Sequence, residues 1–320
     1  MSREILVTGG AGFIGLNFVH YLLKNTPYNV TVIDSLTYAS HPKEILKLMS
    51  MPRFCFIKGD ISSDKDLKAA MDRSYEAIIH FAAESHVDKS IKNPKDFVQT
   101  NIVGTYHLLD YLAKGYAKRM IHISTDEVYG TLKMNQDPFT EKTPISPNNP
   151  YSATKASSDL LVRSYFETFG LPLITTRCSN NFGPFQHKEK FIPTIIYRAL
   201  HNKKIPVYGD GMQIRDWLFV EDHCRAISLI FEKGIPGQIY NIGGGNEKTN
   251  LCIVKQILDI MGKDYDLIDY VEDRKGHDRR YAIDSTKLQK ELGWKQNSPF
   301  NEALEKTVEW HVKKFKDSSL

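Results

Sequence analysis

Two adjacent acids, Asp126 and Glu127, stand in the run Ser124-Thr125-Asp126-Glu127-Val128-Tyr129-Gly130. The apolar stretch Met120 to Ile123 before them reads as a buried strand, so the acids fall where a strand of an α/β sheet ends. Ligands of open α/β sheets bind beyond the carboxyl ends of the strands. Two carboxyls held there are costly unless they have a partner or a task. A pair with different protonation states divides general-acid from general-base work. Downstream comes Tyr151-Ser-Ala-Thr-Lys155. Four residues apart on a helix, Tyr151 and Lys155 share a face.

The third element is Thr8-Gly9-Gly10-Ala11-Gly12-Phe13-Ile14-Gly15, directly after a strand and opening a helix. Gly10, Gly12 and Gly15 fit G-x-G-x-x-G, and Gly9, Gly12 and Gly15 fit the G-x-x-G-x-x-G variant. A tight turn needs backbone without side chains, and a pyrophosphate must reach peptide N–H groups at a helix start. Asp34 ends the next strand, where a carboxylate accepts from adenosine ribose hydroxyls. The same carboxylate repels a 2′-phosphate, which favours NAD over NADP. Asp60 and Ile61, after the third strand, are placed at the adenine edge. Phe81, Ala82 and Ala83, after the fourth, are small enough beyond Phe81 for the cofactor to lie close. A tyrosine is a poor base at its ordinary pKa of about 10. A lysine ammonium and a positive nicotinamide ring favour its phenolate. Tyr151 is then read as taking a hydroxyl proton while hydride leaves the same carbon, with Lys155 also holding the nicotinamide ribose.

These residues need a scaffold, and the apolar runs supply one. Glu4 to Thr8, Val30 to Ile33, Phe54 to Ile57, Ala77 to His80 and Met120 to Ile123 alternate with helical patterns at Phe13 to Lys24, Asp64 to Asp72 and Pro94 to Leu112. Such alternation predicts a doubly wound parallel sheet of Rossmann type with helices on both faces. Tyr151 to Phe169 reads as a long helix capped by Asn149, with Pro150 in its first turn and Gly170 and Pro172 ending it. Leu171 to Thr176 reads as another strand. After about residue 180 the alternation fades, and Asp222 to Glu232 and Gln238 to Ile242 read as a returning helix and strand. Glu302 to Lys316 is an amphipathic helix with Leu304, Val308, Val312 and Phe315 on one face. The domain boundaries expected are 1–178, with a return of about 214–242, for the NAD-binding domain. About 179–213 and 243–320 form a smaller, irregular α/β substrate-binding domain.

Composition narrows the class. The 320 residues have the apolar, aromatic and charged fractions of an ordinary globular protein, and a net charge of +4 is too mild to imply nucleic-acid binding. Cys55, Cys178, Cys224 and Cys252 are widely spaced, which fits reduced thiols in a cytoplasmic enzyme rather than a disulfide framework or zinc site. No apolar run long enough to span a membrane and no signal peptide is visible. Asp126, Glu127, His86 and His122 lack metal-ligand spacing, so no metal is expected.

The chain resembles the extended short-chain dehydrogenase/reductase family over nearly its whole length. The residues that carry this are Thr125-Asp126-Glu127, Phe81-Ala-Ala-Glu-Ser-His-Val-Asp88, Tyr151 to Asp159 and Cys178-Ser-Asn-Asn-Phe-Gly-Pro184. Gln213-Ile-Arg-Asp-Trp217, Tyr240-Asn-Ile-Gly-Gly244 and Arg274 to Tyr281 extend it. Within that family the Thr-Asp-Glu run is similar to the nucleotide-sugar dehydratases that act on dTDP-glucose. The resemblance implies a three-stage reaction. Tyr151 removes the proton of the glucose 4-hydroxyl as hydride passes from C4 to NAD. Glu127 then removes the C5 proton while protonated Asp126 gives its proton to the departing 6-hydroxyl. Hydride returns to C6 and a proton to C5.

The resemblance also implies roles for residues that the pattern alone leaves unassigned. Thr125 hydrogen-bonds the 4-oxygen, and Ser124 supports the cofactor side. Phe13, Ile14, Ser35, Leu36, Thr37, Thr100 and Asn181 join the cofactor site. Ser85 lies near the cofactor and the glucosyl hydroxyls. Arg215 and Arg274 face the diphosphate, with His277 nearby. Asn180 and Asn250 serve the phosphate or sugar region, and Glu189, Lys190, Pro206 and Tyr208 surround the thymidine. A homodimer through Pro94 to Leu112 and Tyr151 to Phe169 is implied, with rhamnose synthesis one common fate of the product. Two other readings compete. A nucleotide-sugar epimerase or decarboxylase would use Tyr151, Lys155 and NAD without needing Asp126 as an acid. A catalytically silent dinucleotide sensor would keep Gly12 and Asp34 but has no use for Asp126, Glu127, Tyr151 and Lys155 together.

Overall fold

The computed structural model describes residues 3–273 and 278–317. Its centre is a seven-stranded, wholly parallel sheet. In chain order the strands of the protein are β1 (Glu4–Thr8), β2 (Asn29–Asp34), β3 (Phe54–Lys58), β4 (Ala77–His80), β5 (Met120–Thr125), β6 (Leu173–Cys178), β7 (Asn180–Phe182), β8 (Ile205–Tyr208), β9 (Ile214–Phe219), β10 (Ile239–Ile242), β11 (Glu247–Thr249) and β12 (Ile268–Val271). The central order is β10-β6-β5-β4-β1-β2-β3. The chain therefore winds outward from β1 one way, then returns beside it at β4 and winds the other way. β1 and β4 flank the switch point, where the strand ends part and leave a crevice.

β4, β5 and β6 are buried throughout, the mark of strands covered on both faces. One apolar layer, including Leu16, Val19, Val32, Ile79, Ile227 and Ile230, packs helices Phe13–Asn25 and Val220–Lys233 against the sheet. On the other face Ile78, Leu108, Leu112, Met120 and Val162 receive helices Gly104–Ala113 and Pro150–Phe169. Pro150–Phe169 begins with a capping box between Asn149 and Ser152 and ends at left-handed Gly170.

Three features depart from the expected elements. The segment read as one helix from Pro94 to Leu112 runs as Pro94–Phe97, a π-helical turn Val98–Val103 and Gly104–Ala113. Short helices at Pro42–Leu48 and Val87–Lys92 were invisible to periodicity because each is under two turns. β9 joins β7 and β11 in a three-stranded sheet, while β8 pairs with β12. A separate core, built on Phe182, Ile196, Trp217, Ile257 and Leu304, fills this region, and Val312 and Phe315 of helix Phe300–Asp317 pack on it. Among the described residues no helix is long and apolar enough to cross a membrane.

Asp222 fastens the C-terminal segment to the rest. Its carboxylate is fully buried, accepts from the backbone N–H groups of Asn297 and Ser298, and pairs with Arg225 at 3.0 Å. Asp222→Ala orphans both donors and should cost about 3 kcal/mol. Chemical denaturation should show this as a lower midpoint with an unchanged slope.

Candidate active site

A cavity of about 530 Å³ opens at the switch point. Its wall begins at the turn after β1. Gly9 has φ +69°, and a Cβ there would lie 2.6 Å from the Ala82 nitrogen. A Cβ on Gly15 would lie 2.3 Å from the Gly9 carbonyl oxygen, whereas one on Gly12 meets nothing closer than 3.4 Å. Gly9 and Gly15 are thus demanded by the turn itself, and Gly12 presents bare backbone at the cavity. Asp34 accepts from the Ala11 N–H at 3.0 Å and the Leu36 N–H at 2.8 Å, so it pins the turn to the end of β2. Burial raises its pKa against those two bonds.

Ser35, Thr37, Asp60, Ile61, Phe81, Ala82, Ala83 and Ser85 continue the wall from the ends of β2, β3 and β4. Thr100 reaches it from the π-helical turn. That turn also points Asn101 inward, where its side chain holds both the N–H and carbonyl of Glu84 and the Thr154 hydroxyl. The extra residue of a π turn lets neighbouring positions face two ways at once.

The reacting end lies beyond β5. Ser124, Thr125, Asp126, Glu127, Tyr151, Lys155, Cys178, Asn180, Asn181 and Lys190 line one end of the same cavity. Asp126 is buried, and its carboxyl accepts a hydrogen bond from the Thr125 hydroxyl at 3.3 Å. Burial, reinforced by the charges of Glu127 and Asp216, holds its carboxyl well above the usual carboxylate range. Glu127 is half-buried; its pKa is also raised by burial, but the charges of Arg215 and Lys190 and a 3.5 Å hydrogen bond from Asn149 oppose the rise. Burial thus favours the neutral acid at both carboxyls, more strongly at Asp126, while the cations beside Glu127 oppose it there.

Tyr151 departs from expectation. Burial, with the nearby charge of Glu127, holds its phenol well above its ordinary pKa, and a hydrogen bond with Thr125 opposes this. Lys155 donates to the Ile123 carbonyl oxygen at 2.8 Å, and burial lowers its pKa to about 8. Its charge alone does not make Tyr151 a base; a second positive charge beside the ring is needed.

The residues fit a dinucleotide. The cradle at Gly9, Gly12 and Gly15 leaves backbone open, and Asp34, at the ribose spacing in sequence, lines the same cavity. Ser124 Oγ, Asp126 Oδ2, Asn180 Oδ1 and Gln186 Oε1 are buried without hydrogen-bond partners, and all four residues border the cavity. Buried polar atoms of this kind await a polar ligand.

Several expected residues lie off the wall. Leu36 has φ +57° and holds Asp34 by its N–H. Glu189 stands at the mouth near Lys89, His86 and His187, at 3.7, 3.8 and 3.6 Å. Pro206 and Tyr208 are on β8, and Asn250 starts helix Asn250–Met261. Arg215 is buried on β9, stacked over Tyr281 at 4.5 Å and donating to the Ile214 and Asp278 carbonyls. Arg274 and His277 lie outside the described residues. Glu84, Gln99, Gln186 and His187 line the cavity without having been foreseen. They sit in irregular segments or at a π turn, where no periodicity marks them.

A glycine-cradled crevice at the switch point of a parallel sheet, ending in a buried acid pair and a Tyr–Lys helix face, defines a dinucleotide-dependent enzyme of the short-chain dehydrogenase type. The chain belongs to the GDP-mannose 4,6 dehydratase family, whose model matches residues 6–307. It is 47% identical to a dTDP-glucose 4,6-dehydratase of Neisseria meningitidis, covering 97% of this chain and 93% of that one. It is 48% identical to the low-salt glycan biosynthesis protein Agl12 of Haloferax volcanii, covering 97% and 98%. Its structure superimposes with a TM-score of 0.93 on DesIV, a dTDP-glucose 4,6-dehydratase of Streptomyces venezuelae solved with NAD bound, at 44% identity and 97% coverage of both chains.

Gly15→Ala forces the turn open against the Gly9 carbonyl, a strain of about 1–3 kcal/mol. NAD titration followed by fluorescence should show about 10- to 100-fold weaker binding, with the fold retained by circular dichroism.

Proposed function

We propose that this chain converts dTDP-glucose to dTDP-4-keto-6-deoxyglucose with a tightly held NAD. The observation that carries the reading is the pair Asp126 and Glu127, buried to different degrees and with Asp126 the more strongly favoured as the neutral acid, at the Tyr151–Lys155 end of a dinucleotide cradle. An epimerase has no use for a buried neutral carboxyl placed to protonate a leaving hydroxyl. The family and its dTDP-glucose-dehydrating relatives support the same reading.

When bound, oxidised NAD supplies a hydride acceptor at the sugar C4 and a positive charge beside Tyr151 that opposes its burial. Tyr151 takes the proton of the 4-hydroxyl, and Thr125 hydrogen-bonds the 4-oxygen. Glu127 takes the C5 proton. Asp126, already protonated, gives its proton to the C6 oxygen, which leaves as water; C6 then takes back the hydride and C5 a proton, so oxidation and reduction cancel. Lys155 anchors the nicotinamide ribose and stabilises the phenolate. Gly9, Gly12 and Gly15 with Phe13 and Ile14 seat the pyrophosphate. Asp34 binds the adenosine ribose, and Asp60 and Ile61 flank the adenine.

For the nucleotide end we propose Asn180, Lys190 and Arg215, with Glu189, Pro206, Tyr208 and Asn250 further out. Residues 179–213 and 243–320 act as the substrate-binding part. A cytoplasmic homodimer is part of this reading. Large apolar side chains at Val98, Tyr106, Leu160 and Phe169, on the two helical stretches concerned, are exposed in the single chain, which supports it.

Purified protein given dTDP-glucose and no added NAD should yield a product lighter by one water, with a C6 methyl signal by NMR. Turnover of a UDP-sugar instead would replace the reading with an epimerase or decarboxylase. Asp126→Asn should slow water loss by about 10²–10⁴-fold while C4 oxidation, followed by reduced-nicotinamide absorbance in a single turnover, stays near the parent rate. Equal loss of both steps would remove Asp126 from the acid role.

A further inference from the structure

Beneath the Tyr–Lys face runs a buried polar network that the reaction above does not use. β1, β4 and β5 carry Thr8, His80 and His122 in register, side by side across the sheet. Thr8 Oγ1 bonds His80 Nδ1 at 2.8 Å, and His80 Nε2 bonds the Thr105 hydroxyl at 3.0 Å. The His80 and His122 rings lie 5.3 Å apart. His122 Nε2 meets Asp159 Oδ1 at 3.2 Å, and Arg177 Nε donates to Asp159 Oδ2 at 2.9 Å. Arg177 in turn stacks on Tyr129 at 4.7 Å, whose hydroxyl donates to Asn241. All of these residues are buried.

Asp159 is the carboxylate at the centre of this network. It follows Lys155 by one helical turn, as Lys155 follows Tyr151, so the three side chains line one face of helix Pro150–Phe169. Lys155 is itself buried, with a single hydrogen bond to a neutral carbonyl. A buried ammonium so poorly solvated loses its proton unless a negative charge stands near.

We infer that Asp159 is a positioning residue for catalysis, the counter-charge that keeps Lys155 protonated while His122 and Arg177 fix the carboxylate below it. The electrostatics agree. Burial is what lowers Lys155, and the charge of Asp159 is the largest influence opposing it. Asp159 stays ionised, because against its own burial stand the hydrogen bond with His122 and the charge of Arg177. Burial keeps His80 and His122 neutral, the latter at about 4. The other titratable groups near Lys155 are Tyr151 on its own helix and Cys178 on β6, with Asp126 beyond them after β5. Burial keeps Cys178 as the thiol, up to about 12, so it offers no standing charge.

Lys155 must carry its charge for the role assigned above, a clause on which the kinetic arm of the test rests. Activity that needs the ammonium falls as pH rises through the Lys155 pKa. Removing the Asp159 charge lowers that pKa further and moves the alkaline limb to lower pH. Two measurements separate the charge from the chemistry. Acylation of Lys155 by acetic anhydride across pH, read by peptide mass spectrometry, reports its protonation without turnover. The kcat/KM profile for dTDP-glucose reports the consequence.

Asp159→Asn should shift both midpoints down by about one to three pH units, and Asp159→Glu should restore most of the shift. Because Asp159→Asn leaves Arg177 buried and unpaired, Asp159→Asn/Arg177→Gln is the companion variant. Losing Arg177 also removes a buried like charge, so the downward shift in the double variant is expected to be smaller but in the same direction. A folded variant of either kind with parental labelling and parental alkaline limb overturns the inference. Labelling that shifts in a parent protein inactive on dTDP-glucose upholds it and sinks the proposed reaction instead.

Discussion

The protein is organised around the removal of two carboxyl groups from water at the end of one strand. Burial destabilises an ionised carboxylate by far more than any single hydrogen bond returns. Two such groups side by side at the end of β5 cannot both be anions at modest cost. The structure resolves this by asymmetry. Asp126 and Glu127 both line the cavity, but Asp126 is the more deeply buried and feels the like charges of Glu127 and Asp216, while Glu127 lies within the influence of Arg215, Lys190 and Asn149. β9 exists in the right place to carry both Arg215 and Asp216, and Asp216 is tied down by the Gly244 and Asn246 N–H groups. The small three-stranded sheet is thus part of the electrostatics of the acid pair as well as of the second core.

The same logic governs the basic side. Lys155 and Arg177 are cations in the interior, and each has specific partners: a backbone carbonyl and the Asp159 charge one helical turn away for one, the Asp159 carboxylate and an aromatic face for the other. Charges of both signs are therefore interleaved across β5, β6 and the helix above them. No residue there can be altered without changing the field on its neighbours, which makes additive effects of double substitutions within this layer an exception.

Much of this was legible in the sequence because regular elements announce themselves. The β1 run followed by spaced glycines, the Asp34 strand end, and Asn149-Pro150 before a long amphipathic stretch each carry a local physical signature, and the elements formed within a few residues of where those signatures placed them. Illegible were the features that depend on tertiary partners. The π-helical turn at Val98–Val103 has no periodic signal, and its reason, the grip of Asn101 on Glu84 and Thr154, exists only in the folded state. The pKa of Tyr151 could not be read from Lys155 four residues away, because burial outweighs a lysine engaged elsewhere. β7, β9 and β11 are too short or too mixed to be told apart from loop.

The segment Gly183-Pro184-Phe185, next to Gln186 and His187 in the cavity wall, is held from three directions. Asn17 donates to the Pro184 carbonyl, His41 bonds the Phe185 carbonyl, and His311 bonds the Gly183 carbonyl. Trp310 adds a ring contact to Phe185 at 4.9 Å, and Phe185 itself has φ +65°. The first helix and the last described helix thus close on one strained peptide beside the dinucleotide cradle. During synthesis the cradle's glycines emerge first, yet the wall opposite them is not braced until helix Phe300–Asp317 has left the ribosome. The cofactor site is, in this sense, a late product of folding, since its bracing joins the helix opened by residues 9–15 to residues 300–317.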